Sequence, residues 1–349
     1  MQLTTLPSIL ACPGNVSSMT GEQWNKAILH ARRTQSLGQL AARLASANRL
    51  DEIPRSVLRH LDLAHLTARR RAEAATWEID VIRRTIDPDT PIVLLKGCAY
   101  VLANDINADG RLFSDIDVLV PRGALGKTEA ALTGAGWLPS RVSDYDQHYY
   151  RDWSHEVPPM EHVRRHTVVD LHHAIIPPVS RYSFPTQLLL DDLDEVQPGI
   201  FVLSAADRVI HCAIHLIQEG ESSKVFRDLY DLFLLLEQHF PDSASSTQLL
   251  SRAEKLGLHR LVATAIRAAT TVFGIAHQAS AIHSPWLAKN LINAAASGTP
   301  DNEGRFQATV SRLALLAQSH WMKMPLQLLL PHLCRKAMLS LFAKEEPAR

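Results

Sequence analysis

A chain of 349 residues, 46% of them hydrophobic, is too long for one small core and too apolar for disorder, so one large or two to three modest globular units are expected. Its 36 Lys and Arg balance 36 Asp and Glu, and the basic residues gather only in short runs such as ARRR and HVRRH. That pattern argues against duplex nucleic acid as a partner, because phosphate affinity needs concentrated cationic charge. Cys12, Cys98, Cys212 and Cys334 are widely spaced without a CxxC pair, as in a reduced, cytoplasmic protein, and neither a secretory leader nor a transmembrane run is evident.

Residues from about 22 to 86 carry apolar positions at helical spacing, as in LGQLAARLASANRL and RRRAEAATWEIDVIRRTI, with DEIPRS as the break between them. A helical N-terminal region, 1–88, is expected. DPDTP then punctuates the chain before PIVLL, a short β-branched apolar run that predicts a buried strand. AYVLANDI reads as a short helix, NADG as a turn, SDIDVLVP as a second strand closed by Pro121, and GALGKTEAALTGAG as a further helix leading to GWLPSR. From Arg141 to His166 the sequence is aromatic, charged and irregular, which suits either an acceptor-binding lid or an ordinary solvated hairpin. HTVVDLHHAI returns as a third strand, and EVQPGIFVL has the look of a hairpin.

Ser204, with Asp207 three residues on, opens a helix with an acidic variant of a capping box. Everything beyond it is helical in pattern, and the basic amphipathic segment MPLQLLLPHLCRKAMLSLFAK is expected to pack as a terminal helix rather than to lie on a membrane. The fold class expected is α+β, with a small mixed-sheet core at 89–203 set between the N-terminal helices and a C-terminal helical bundle at 204–349.

On a strand, residues i and i+2 share a face, so Asp115 and Asp117 present two carboxylates together while Ile116 and Val118 face a core. Paired carboxylates suit a hard divalent cation, which offsets the repulsion that would otherwise raise one pKa. Asp170, in VVDLHH, is a third carboxylate in a β-type run, and converges with the pair if the two strands are neighbours. Lys96 and Gly97 lie at a strand-to-helix turn, where glycine permits close approach of an anion and lysine adds charge. Arg111 and Ser114 just precede the acidic pair, where a guanidinium can grip phosphate oxygens.

Strand, Gly turn, helix, Arg and Ser, acidic strand, third acidic strand: this order resembles the nucleotidyltransferase superfamily related to DNA polymerase beta. More closely, VLLKGCAY, GRLFSDIDVLVP, VVDLHH and RDLYDL look like a family of uncharacterised bacterial nucleotidyltransferases with LKG, DID and DLH motifs, over about residues 30 to 260. The resemblance implies transfer of a nucleoside monophosphate from an NTP to an acceptor hydroxyl, with release of pyrophosphate. It implies Mg²⁺ or Mn²⁺ held by Asp115, Asp117 and Asp170, phosphate contacts from Lys96, Gly97, Arg111 and Ser114, and an unidentified acceptor, either a small molecule or a protein. Cys98 stands where the superfamily usually has Ser, and Lys96 is the expected replacement contact.

Two alternatives accompany that reading. One is a catalytically inactive nucleotide-binding or scaffold protein of the same fold. The other is a His/Asp metallohydrolase using His211, His215 and Asp170, since His211 and His215 have the i, i+4 spacing of many zinc pairs but lack the glutamate of HExxH. Histidines packed between the core and the bundle are the plainer account. Arg227 and Asp231 are expected to pair along one helix face, His172 is expected to point away from the face of Asp170, and His173 to serve packing more than chemistry.

Overall fold

The computed structural model describes residues 5–140, 143, 145, 149–219, 223–274, 284–296 and 305–342. Part of the irregular stretch after Arg141, namely positions 141, 142, 144 and 146–148, lies outside the described residues. Four N-terminal α-helices come first: α1 (Thr5–Ala11), α2 (Gly21–Arg33), α3 (Leu37–Ser46) and α4 (Arg55–Thr85). Thr20 starts α2 with a capping box: Thr20 Oγ1 accepts from the Gln23 amide at 3.3 Å, and Gln23 Oε1 accepts from the Thr20 amide at 2.8 Å. The DEIPRS break holds, with a short 3₁₀ turn at Leu50–Glu52 and Pro54 capping α4.

A mixed seven-stranded sheet follows, comprising β1 (Ile92–Leu94), β2 (Asp115–Leu119), β3 (Trp137–Pro139), β4 (Met160–His162), β5 (Val168–His172), β6 (Leu193–Gln197) and β7 (Ile200–Leu203). Their order is β3-β4-β5-β2-β1-β7-β6. The β2–β5 and β1–β7 pairs are parallel and the rest antiparallel. Helix α5 (Lys96–Leu102) connects β1 toward β2, α6 (Leu125–Gly134) follows β2, and the single turn α7 (Gln187–Leu190) precedes the β6–β7 hairpin.

All three predicted strands and the hairpin form. The sheet also recruits β3 and β4, from GWLPSR and from the stretch read as irregular. Each is three residues long, too short for a period-2 signal; β4 pairs onto the edge of β5, where Met160 faces Val169, and β3 pairs onto β4. Trp137 and Met160 are fully buried there.

The two faces of the sheet have different covers. Ile116 and Val118 of β2 and Val169 and Leu171 of β5 point to the side where Ile79 and Ile82 of α4 pack. Val93 of β1, Leu119 of β2 and Leu203 of β7 point the other way, into a core shared with the helices that follow the sheet. Those helices are α8 (Ala205–Glu219), α9 (Val225–His239), α10 (Ser243–Lys255), α11 (His259–Phe273), α12 (Pro285–Ala296), α13 (Arg305–Lys323) and α14 (Leu326–Phe342). Leu6, Trp24, Leu40 and Leu44 of α1 to α3 join this second core beside Phe226, Tyr230 and Phe273. The N-terminal helices are therefore divided: the end of α4 covers one face of the sheet, while α1 to α3 pack with the bundle over the other.

Buried ion pairs tie the bundle to the α/β part. Arg208 of α8 donates to both carboxylate oxygens of Asp105 at 2.9 and 3.1 Å, and His239 Nε2 lies 2.8 Å from the same group. Within the bundle, Asp207, the acidic residue of the expected cap, accepts two bonds from Arg252 at 2.8 and 2.6 Å. In the first part of α14, Leu329 and His332 are buried while Leu330 and Leu333 are exposed, so this stretch packs by one face. Among the described residues no helix is long and apolar enough to cross a membrane.

Candidate active site

The strand period and one register set the centre of the site. Asp115 and Asp117 share the bundle-side face of β2, and in the parallel β2–β5 pair Asp117 stands directly across from Asp170. One oxygen from each of Asp115, Asp117 and Asp170 lies within 4.8 Å of the others. These hard carboxylate oxygens suit a divalent cation such as Mg²⁺ or Mn²⁺. Asp170 adds a sharper sign of fit: its Oδ1 is buried without a hydrogen-bond partner, and a buried, unpaired carboxylate oxygen is costly.

Asp117 and Asp170 differ in charge state because their neighbours differ. Burial, reinforced by Asp117 and Glu156, pushes the Asp170 carboxyl up to about 7. Burial would raise Asp117 too, yet Lys96 and His172 outweigh it and hold that carboxylate well below the usual range. Lys96 Nζ donates to Asp117 Oδ1 at 2.7 Å, and although burial works to lower its pKa, Asp117 keeps the ammonium charged. His172 Nε2 lies 3.0 Å from the same oxygen. His172 therefore shares the face of Asp117 and Asp170, contrary to the expectation that it points away, because positions 170 and 172 are two apart on one strand.

The turn between β1 and α5 is closely packed by side chains. Lys96 adopts a left-handed backbone, φ 49°, which is uncommon for a residue with a side chain. At Gly97 a Cβ would meet Phe113 Cγ at 2.7 Å and Arg111 Nη1 at 2.8 Å, so glycine is needed for close approach of those side chains. Cys98 is buried and its thiol is pushed up, by burial first and then by Asp117 and Asp115. It is a packed, protonated group.

Arg111 is not a free guanidinium. Its Nε donates to Asp231 Oδ2 at 2.6 Å, Gln39 Nε2 donates to Asp231 Oδ1 at 2.8 Å, and the guanidinium lies 5.4 Å from the Tyr100 ring centroid. Asp231 is thus taken from outside its own helix, and the expected Arg227–Asp231 pair is replaced: Arg227 Nε and Nη2 donate to Asp228 Oδ1 at 2.9 and 2.8 Å. The i, i+4 spacing reports only a local partner, whereas Arg111 comes from another part of the chain.

A cavity of about 570 Å³ brings the predicted residues together. Lys96, Gly97, Arg111, Ser114, Asp115, Asp117 and Asp170 all line it, as do Arg71, Lys224, Arg227 and Lys323. Its wall also holds His155, Glu156, Glu219 and Lys323, none of which belongs to a sequence motif that names it as a ligand. His215 reaches the same wall, but its Nε2 lies 3.3 Å from Glu219 Oε2 and its Nδ1 3.7 Å from Asp228 Oδ2. Among the described residues, His211, His215 and Asp170 do not form a three-ligand group, as the hydrolase alternative requires. His173 is buried, with Nδ1 3.4 Å from Arg122 Nη1, in keeping with a packing role.

A mixed α+β chain with three carboxylates gathered on one sheet face, beside a cation-lined cleft, is a candidate divalent-metal centre. The chain belongs to the family described as uncharacterised nucleotidyltransferase, whose profile matches residues 20–274 and so spans the sheet, the acidic cluster and the first helices of the bundle. No curated protein and no solved structure matches it.

Proposed function

We propose that this protein transfers a nucleoside monophosphate from an NTP to an acceptor hydroxyl, as in the DNA polymerase beta-like superfamily. The observation that carries this reading is the convergence of Asp115, Asp117 and Asp170, in a chain whose family is described as nucleotidyltransferase. The three carboxylates would hold Mg²⁺ or Mn²⁺, which when bound supplies charge neutralisation at the phosphoryl oxygens.

The chain's own groups do the rest. Lys96 leaves Asp117 for a phosphate oxygen once the carboxylate has another counter-charge. Arg111, anchored through Nε by Asp231, offers its Nη1 side beside Gly97, and Ser114 offers a hydroxyl at the cavity wall. Asp170, as a metal-held carboxylate, would help take the acceptor's proton. The acceptor oxygen then bonds to the α-phosphorus, the bond to the bridging oxygen breaks, and pyrophosphate leaves with that electron pair. Positioning and charge stabilisation would supply most of the rate. The acceptor is a small molecule or a protein side chain bearing a hydroxyl.

Incubation with each α-labelled NTP, Mg²⁺ or Mn²⁺ and a lysate tests this, in parallel with Asp115→Ala and Asp117→Ala. Label should move to an acceptor with the wild type and not with either variant. Equal transfer by all three proteins refutes the site. The Lys96–Asp117 ion pair favours a second reading, nucleotide binding without turnover, in which the lysine remains the standing counter-ion. Metal-dependent NTP binding with no labelled product from any lysate fraction would favour that reading.

A further inference from the structure

The cleft wall holds a second group of metal-ligating side chains, different in chemistry from the first. His155, Glu156 and His172 each bring one ligand atom within 4.8 Å of the other two. His172 Nδ1 lies 3.6 Å from Glu156 Oε2, His155 Nε2 lies 4.0 Å from that oxygen, and the two imidazole centroids are 5.4 Å apart.

The hydrogen-bond geometry points these atoms at a cation. Asp117 is an ionised carboxylate and can only accept, so His172 Nε2, 3.0 Å from its Oδ1, carries the proton and donates. The other ring nitrogen, Nδ1, is the one turned toward Glu156. The His172 side chain is only 1% exposed, and its Nδ1 has no hydrogen-bond partner. A buried lone pair facing a carboxylate is unfavourable unless a proton or a metal ion lies between them. A carboxylate that receives one ring N–H of a histidine while the other nitrogen faces a ligand cluster is the outer-shell arrangement typical of metal-binding histidines.

The backbone holds the group in place without the metal. The His173 amide donates to the His155 carbonyl at 2.9 Å, and the Val157 amide donates to the Leu171 carbonyl at 3.0 Å, clamping residues 155–156 along β5. His155 and Glu156 line the cavity, so a fourth coordination position would open toward it.

We propose that His155, Glu156 and His172 form a second metal site, selective for a borderline transition-metal dication such as Zn²⁺ and linked to the carboxylate cluster through the His172–Asp117 hydrogen bond. Two imidazoles and one carboxylate favour Zn²⁺ or Co²⁺, whereas three carboxylates favour Mg²⁺ or Mn²⁺. The proposal does not depend on nucleotidyl transfer.

The test uses full-length, tag-free protein in an Asp115→Asn/Asp170→Asn background, which disables the carboxylate cluster. Calorimetric titration with Zn²⁺ should show one equivalent bound at micromolar protein, and Co²⁺ should give visible absorption of a low-coordinate nitrogen and oxygen site. His155→Gln and Glu156→Gln should each weaken Zn²⁺ at least about tenfold, the lower end of what even outer-shell changes cost. No uptake of Zn²⁺ in that background, as expected if His172 is simply an imidazolium between Asp117 and Glu156, overturns the proposal. So does uptake unchanged by both variants. If either variant fails to fold, X-ray absorption of the wild-type protein loaded with one equivalent of Zn²⁺ decides: histidine nitrogen ligation supports the site, and ligation by oxygen alone refutes it.

Discussion

The ammonium of Lys96 lies 2.7 Å from Oδ1 of Asp117, with the carboxylate side chain 3% exposed and the lysine side chain 21% exposed. This pair places a cation beside the carboxylate that the proposed metal would also use. It stores Asp117 in its ionised form, ready to bind, without the cost of an unpaired buried charge. It also means that a metal ion must displace or share with a lysine.

Replacing Lys96 with Met removes that counter-charge and leaves His172 as the nearest partner of Asp117. Breaking a buried pair from one side costs roughly 3–5 kcal/mol, and the partial exposure of Lys96 places this one at or below the lower end. The metal-free variant should melt at a lower temperature than the wild type, and Mg²⁺ should raise its melting temperature by more than it raises that of the wild type. Equal melting of the two metal-free proteins would show that the pair contributes nothing to stability.

The pH dependence of metal binding follows from Asp170. Its carboxyl is raised from 3.8 to about 7 in the folded protein, so the fold binds this proton more tightly than the unfolded chain does. The stability it contributes is complete below about pH 3.8 and is lost as pH rises through about 7. Metal competes with that proton. Mg²⁺ affinity should therefore climb with pH to about 7 and then flatten, with proton release visible as a buffer-dependent heat in calorimetry below pH 7. Asp170→Asn should abolish both the climb and the release.

Asp115 and Asp117 were legible in the sequence because a strand has period two and their alternate neighbours, Ile116 and Val118, are apolar. Asp170 was legible only as a carboxylate in a strand. That it faces Asp117 is fixed by the parallel β2–β5 pairing, a contact between distant segments. The same limit hid the arginine pairings: Asp231 accepts from Arg111 across 120 positions, and no local spacing rule reaches that far. His155 and Glu156 were hidden for another reason, since they sit in a segment without periodicity and are positioned by backbone bonds to the end of β5. His172 was readable and was misread, since two residues beyond Asp170 on a strand means the same face.

The Asp231 carboxylate should prove to be a positioning residue for Arg111. It is 1% exposed and holds Arg111 Nε on one oxygen and Gln39 Nε2 on the other. Asp231→Ala should destabilise the protein by about 3–5 kcal/mol, the cost of leaving a buried guanidinium unpaired. Denaturant melts measure this. Under conditions where the variant remains folded, NTP binding should weaken while Mg²⁺ binding alone is unchanged. Loss of both together would mean that Asp231 supports the whole site rather than Arg111.

Gly97→Ala separates phosphate binding from metal binding most cleanly. The added Cβ would lie 2.7 Å from Phe113 Cγ and 2.8 Å from Arg111 Nη1, so the ring and the guanidinium must both move. Arg111 is pinned at Nε by Asp231, so its fork can only tilt, away from the turn where the phosphates are proposed to lie. The carboxylates are on β2 and β5 and are untouched by that tilt. NTP affinity should fall about tenfold or more, equivalent to about 1.4 kcal/mol, while Mg²⁺ affinity in the absence of nucleotide stays at the wild-type value. Calorimetry measures both. Unaltered NTP affinity would remove Gly97 and Arg111 from the phosphate site and leave Lys96 as its chief cation.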